Sequence, residues 1–108
     1  MTNNDSLQIG NKNFKNRLML GTGKYKTPNL MVDSLRSSNC EIVTVAVRRV
    51  KSNNDKENLM QFIDWSKYWM LPNTAGCTNS DEAIRIAMLG RELAKLSGQE
   101  NNNFVKLE

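Results

Sequence analysis

Apolar positions along the chain come in short groups whose spacing alternates between a period of two and a period near 3.6, the repeats of strand and helix. In LQIGNKNF, Leu7, Ile9 and Phe14 flank Gly10-Asn11, which predicts a hairpin and its turn. The run Leu18 to Leu20 is stopped by Gly21 and Gly23, and predicts a short strand. Thr27-Pro28 is a helix start: a hydroxyl cap, then a proline in the first turn, where a missing N–H costs nothing. Leu30, Met31 and Leu35 carry that helix towards Ser38-Asn39. EIVTVAV, 41–47, is β-branched and almost continuously apolar, as parallel strands covered on both faces are.

Beyond it KSNNDKEN is polar and reads as a loop, and Leu59, Phe62 and Ile63 have the spacing of a short helix. YWMLPNTAG predicts a strand that Pro72 brings to its end. Thr78 and Asp81 form a T-x-x-D cap for a helix over 78–98, with Ile86, Leu89, Leu93 and Leu96 on one face and Gly98 as C-terminal cap. A polar loop, QENNN, leads into a final strand, FVKLE. Strands and helices alternate, so the predicted class is α/β: parallel strands with helical crossovers, doubly wound or closed into a barrel. GTGKYK lacks the third glycine of a dinucleotide fingerprint and the spacing of a phosphate-binding P-loop, and reads locally as a strand-to-helix turn.

Composition narrows the chemistry. A length of 108 residues suits one domain. No apolar run approaches the roughly 18 residues of a membrane span, and MTNNDSLQIG lacks the build of a signal or transit peptide. The expectation is no membrane partner and work in the compartment of synthesis. The net charge of +4 is spread out, with Arg48, Arg49 and Lys51 the single tight basic group and no interleaved aromatics, so no nucleic-acid surface is expected. The chain has no histidine, and Cys40 and Cys77 are isolated, which removes the common metal sites and every histidine-based nucleophile. No metal or organic cofactor is expected, and chemistry must rest on Lys, Glu, Asp, Tyr, Cys or backbone.

The last five residues supply a candidate. As a strand, FVKLE places Phe104, Lys106 and Glu108 on one face and Val105 and Leu107 on the other. In a β/α barrel Val105 and Leu107 would meet the helices, and Lys106 and Glu108 would point inward near the mouth where barrel enzymes act. A lysine on a solvated edge strand is the competing reading. An interior lysine, once neutral, attacks a ketone or aldehyde to form an imine, and burial or a nearby cation favours the neutral form. Glu108, two residues on, would oppose that if ionised, or serve as the proton donor and acceptor of imine formation and enolisation.

RLMLGTGKY, EIVTVAVRR, DWSKY with LPNTAGC, the helix from Asp81-Glu82-Ala83, and FVKLE occur in the order and near the spacing of the thiazole synthases, which the chain resembles from about residue 7 to its end. The resemblance implies a (β/α)8 TIM barrel of about 250 residues, of which 1–108 would be the N-terminal portion: the first half, about four βα units, through the fourth strand. It implies that Lys106 forms a Schiff base with 1-deoxy-D-xylulose 5-phosphate and that Glu108 is an acid/base group. It implies, as further reactants, a glycine-derived imine and a thiocarboxylate on a sulfur-carrier protein, the product being the thiazole phosphate of thiamine. A homo-oligomer, a tetramer in the family, is implied too, as is a plastid stroma or bacterial cytoplasm. Phosphate-holding loops and a further carboxylate are expected beyond Glu108.

Two other classes fit weaker parts of the pattern: a non-catalytic half-barrel acting as a basic binding or assembly module, and another Schiff-base enzyme such as an aldolase. Four parallel strands alone leave unpaired edges at RLML and FVKL. A polypeptide ending at Glu108 is therefore expected to aggregate and to be inactive. Sedimentation and denaturant titration check this: a soluble monomer at micromolar concentration with cooperative unfolding would contradict it.

Overall fold

The structure, a computed structural model, describes residues 5–50 and 59–108; the loop expected over 51–58 lies outside them. Strands β1 (Leu7–Ile9) and β2 (Lys12–Phe14) form the predicted antiparallel hairpin, with Leu7 opposite Phe14. Gly10 turns it at φ +59, a conformation that glycine adopts without penalty. Strands β3 (Met19–Leu20), β4 (Ile42–Ala46) and β5 (Trp69–Asn73) form a parallel sheet in that order. The connection from β3 to β4 is helix α1 (Pro28–Ser38), and α2 (Ser80–Leu96) follows β5. Short 3-10 turns occupy Val47–Arg49 and Leu59–Phe62, the second standing where a short helix was expected.

Alternation along β4 and β5 sorts the core into two faces. Val43 points to the α1 side, among Met31, Leu35, Cys40 and Ile63, and Val45 and Met70 pack against Ala94 of α2. The opposite face is built from Ile42 and Leu71, closed at its lower end by Phe14 of the hairpin. Phe104 completes that end, edge-on to Phe14 at 6.2 Å and to Trp69 at 5.5 Å. Glu41 ties the hairpin exit to the sheet: its carboxylate accepts from the Asn16 amide at 2.7 Å, and Asn16 Nδ2 donates to the Asn39 carbonyl at 2.9 Å.

Both helices start with side-chain caps. Thr27 Oγ1 accepts from the Leu30 amide at 3.1 Å, as expected, and α1 ends on left-handed Asn39. The cap of α2 is Asn79 and not Thr78: its Oδ1 accepts from the Glu82 amide at 2.8 Å, with Asp81 and Glu82 in the first turn. The buried stripe of α2 also differs from the expected leucine face. It is Ile86, Gly90 and Ala94, whereas Leu89 is 47% and Leu96 83% exposed. The reason is close approach: a Cβ on Gly90 would lie 2.7 Å from Pro72 Cβ and 3.3 Å from Val47 Cγ2. Larger side chains cannot occupy that contact, so the leucines point away from it.

As expected, β5 finishes next to Pro72: its last residue is Asn73, and Pro72 is fully buried opposite Val45. Its carbonyl accepts from the Lys106 amide at 2.8 Å, and the Thr74 amide donates to the Lys106 carbonyl at 3.3 Å. The missing N–H of Pro72 faces that same neighbour. Pairing therefore stops at a single parallel bridge, Asn73 to Lys106, and the full strand expected over 104–108 does not form. Before the bridge, side chains of the QENNN segment serve the edge. Gln99 Oε1 accepts from the Met70 amide at 3.1 Å, and Asn102 Nδ2 donates to the Met70 carbonyl at 2.8 Å. Gln99 Nε2 donates to the carbonyls of Tyr68 (2.7 Å) and Trp65 (2.9 Å), and Asn102 Oδ1 accepts from the Phe104 amide at 2.9 Å. The segment read as a polar loop is thus a hydrogen-bonded clasp whose two anchors, Gln99 and Asn102, are buried while Glu100, Asn101 and Asn103 stay exposed.

Two substitutions test this packing by urea titration of the protein expressed from the intact gene. Gly90→Ala is expected to destabilise by about 1–3 kcal/mol through overpacking against Pro72, despite a helix-propensity gain of about 1 kcal/mol. Asn102→Ala strands the Met70 carbonyl and the Phe104 amide and is expected to cost about 1–3 kcal/mol. Unchanged stability in both would contradict the described contacts.

Candidate active site

A cavity of about 560 Å³ opens beyond the carboxyl ends of the parallel strands. The GTGKY segment (21–25) forms one wall, residues 44–46 of β4 the floor, and Arg49, Asn73, Lys106 and Glu108 the rest of the rim. Its wall folds closely over β4. Thr22 Oγ1 donates to the Thr44 carbonyl at 3.2 Å, and a Cβ on Gly21 would lie 3.3 Å from Thr44 Oγ1. Lys24 holds φ +69, a left-handed conformation that side chains other than Asn, Asp and Gly seldom adopt.

The bridge to β5 decides where Lys106 goes. Paired residues share a sheet face, so Lys106 lies on the face of Asn73 and Ala46, towards the cavity. Its Nζ stands 3.0 Å from Glu108 Oε1, and its side chain is half-exposed at 45%. Glu108 is held in turn by its own amide, which donates to Thr74 Oγ1 at 3.0 Å. The two residues singled out in the sequence are therefore together, on the cavity. The expected outward pair is less complete: Val105 is half-buried but Leu107 is 78% exposed, with no helix over it among the described residues.

Asn73 had no signal of its own in the sequence, and nothing there set Arg49 apart from Arg48. Asn73 is buried, and its Oδ1 accepts from the Ala75 amide at 3.0 Å, turning the chain away above β5. Arg48 and Arg49, one basic group in the sequence, go separate ways. Arg48 leaves the cavity for α2, pairing with Glu82 at 3.2 Å and donating to the Gly76 carbonyl. Arg49 stays on the rim, its Nη1 3.1 Å from where a Gly23 Cβ would be. Two described groups ahead of β5 have displaced ionisation. Hydrogen bonds from the Ser66 hydroxyl and amide hold the Asp64 carboxyl below the usual range, and burial pushes the Tyr68 hydroxyl up. Among the described residues no three His, Cys, Asp or Glu side chains converge as a metal site, and no helix is long and apolar enough to cross a membrane.

A family model described as thiazole biosynthesis protein ThiG matches residues 8–108. Curated proteins named thiazole synthase are similar along the whole chain. Those of Prochlorococcus marinus strains MED4 and MIT 9312 are each 68% identical over 108 residues, covering 100% of this chain and 41% of the relative. That of strain SARG is 70% identical over 107 residues, covering 98% of this chain and 40% of its own. The chain thus spans about two-fifths of the length of the curated relatives it matches.

The loop after β5 yields a test. Gly76 has φ +88, and a Cβ there would lie 2.8 Å from Arg48 Nη1. Gly76→Ala is expected to cost about 1–2 kcal/mol from the left-handed backbone alone and to displace Arg48 from Glu82. Thermal unfolding and a crystal structure of the variant check both, and an unmoved Arg48 with unaltered stability would contradict this role.

Proposed function

The chain belongs to the thiazole biosynthesis protein ThiG family, and on that premise we propose that it is part of a thiazole synthase whose reaction runs through Lys106. In this reading the parallel sheet is the start of a (β/α)8 barrel, and the cavity is one side of its mouth. The open edges fit that reading: β3 has no outer partner among the described residues, and Leu18, Met19 and Leu107 are exposed where further strands and helices would cover them.

The Lys106 amine adds to the ketone of 1-deoxy-D-xylulose 5-phosphate, the carbonyl oxygen leaves as water, and an imine forms. Glu108 is a proton acceptor in contact with that amine, its Oε1 3.0 Å from Nζ. It takes a proton from the lysine before attack, gives it to the carbinolamine hydroxyl that leaves as water, and, again a carboxylate, takes a proton from the adjacent carbon, giving an enamine. Sulfur from a sulfur-carrier thiocarboxylate and the nitrogen and carbon of a glycine-derived imine then complete the thiazole phosphate ring. No organic cofactor enters this scheme. The site of action is a bacterial cytoplasm or plastid stroma, the named relatives being cyanobacterial, and the working form is a homo-oligomer.

One observation carries the proposal: the register that turns Lys106 to the cavity face, with Glu108 in contact. Borohydride reduction with the ketose phosphate, followed by peptide mass mapping, tests it on the protein from the intact gene. The expected result is a reduced adduct on Lys106, abolished by Lys106→Met together with thiazole formation, and a fall of at least roughly 10²-fold in turnover for Glu108→Gln. Full turnover in Lys106→Met would overturn the proposal.

A further inference from the structure

The cavity carries more positive charge than its paired groups use. Among the described residues Lys24, Arg49 and Lys106 line it against one carboxylate, Glu108, and that carboxylate is already in contact with Lys106. Arg49 differs from its neighbour in its partners. Arg48 is engaged with Glu82 and the Gly76 carbonyl, whereas Arg49 has no hydrogen-bond or ion-pair partner among the described residues. Its guanidinium lies against Gly23, where any side chain would crowd Nη1 at 3.1 Å. The next residue, Lys24, is held in the left-handed region at φ +69. Such backbone persists where surrounding structure imposes it, and it clusters at ligand sites. The glycine, the strained turn and the unused guanidinium are contiguous on one wall of the cavity.

A guanidinium presents parallel N–H donors in a fixed plane, which match the paired oxygens of a carboxylate or a phosphate in two simultaneous bonds; in the synthase reading the ketose phosphate is held by loops beyond Glu108, which leaves the carboxylate-type anion to this guanidinium. We propose that Arg49 is the anion-anchoring residue of this cavity, and that it grips the carboxylate-type group of the second reactant, in the cavity it shares with the lysine that holds the ketose. This rests on the reading of the cavity as the synthase site. Two reactants in that reading carry such a group, the glycine-derived imine and the carrier-bound thiocarboxylate, and both share the planar two-atom anion that Arg49 fits. Lys24, on the same wall, adds charge without the planar fork.

The test separates capture of the ketose from use of the second reactant, in the protein from the intact gene. Arg49→Ala and Arg49→Lys are compared with the unsubstituted protein in three measurements: the borohydride-trapped adduct on Lys106, the level of glycine-derived imine (generated in situ) needed for half-maximal turnover, and the same for thiocarboxylated carrier. The expected result is an adduct yield within about twofold of normal in both variants. The half-saturating level of one second reactant rises roughly 10–100-fold in Arg49→Ala and by a smaller factor in Arg49→Lys. A rise confined to the imine assigns its carboxylate, and a rise confined to the carrier assigns the thiocarboxylate. Unchanged half-saturation for both would overturn the proposal, as would loss of the adduct in the folded variants, since Arg49 would then hold the ketose phosphate. Should Arg49→Ala fail to fold, Arg49→Lys decides on the same readouts. Absence of an adduct in the unsubstituted protein would sink the Lys106 assignment instead, and the half-saturation comparison would still judge Arg49.

Discussion

Two backbone hydrogen bonds at the outer edge of β5 set the geometry of everything at the carboxyl end of the sheet. The Lys106 amide donates to the Pro72 carbonyl, and the Thr74 amide donates to the Lys106 carbonyl. A slip of one residue would exchange the two faces of the segment, sending Lys106 out and Val105 in. Three things pin the register. Phe104 is fixed edge-on between Phe14 and Trp69. The clasp of Gln99 and Asn102 fixes the chain two residues earlier. Pro72, by lacking an N–H, denies the next pairing position. The bridge is short because of the same proline that α2 packs against through Gly90.

The cavity inherits its shape from that sheet. Apolar closure by the hairpin is at the amino end of the strands, and the polar groups are at the carboxyl end, where loops can be re-aimed without disturbing the core. Ala46, Asn73 and Lys106 stand side by side on the inner face, and the GTGKY wall is brought close by two glycines whose Cβ atoms would meet Thr44 and Arg49. The paired arginines show how one sequence feature divides under such constraints: one guanidinium joins the loop after β5 to α2, the other remains on the rim.

Strong local signals in the sequence transferred directly. The hairpin turn at Gly10, the Thr27-Pro28 helix start and the apolar run of β4 each arise from short-range chemistry, and each stands where it was expected. What failed depended on partners distant in sequence. Leu89 and Leu96 have helical spacing, but the closeness of Pro72 gives the buried stripe to Gly90 and Ala94. Asn79 displaces Thr78 as cap by a single residue, a choice that a T-x-x-D pattern cannot make. Gln99 and Asn102 are polar in a polar run, and nothing local marks them as ligands of a strand edge. Of the cavity, Lys106 and Glu108 were legible through strand alternation. Arg49 and Asn73 were not, because their placement follows from how the loops after β4 and β5 turn.

The account depends on the side chain of Lys106 facing the space between the GTGKY wall and β4. A crystal structure of the protein from the intact gene, reduced with borohydride in the presence of the ketose phosphate, tests this most directly. The account predicts continuous density from Lys106 Nζ into that space, with Glu108 beside the new C–N bond. An adduct on another lysine, or a Lys106 side chain on the helix-facing side of the sheet, would contradict it.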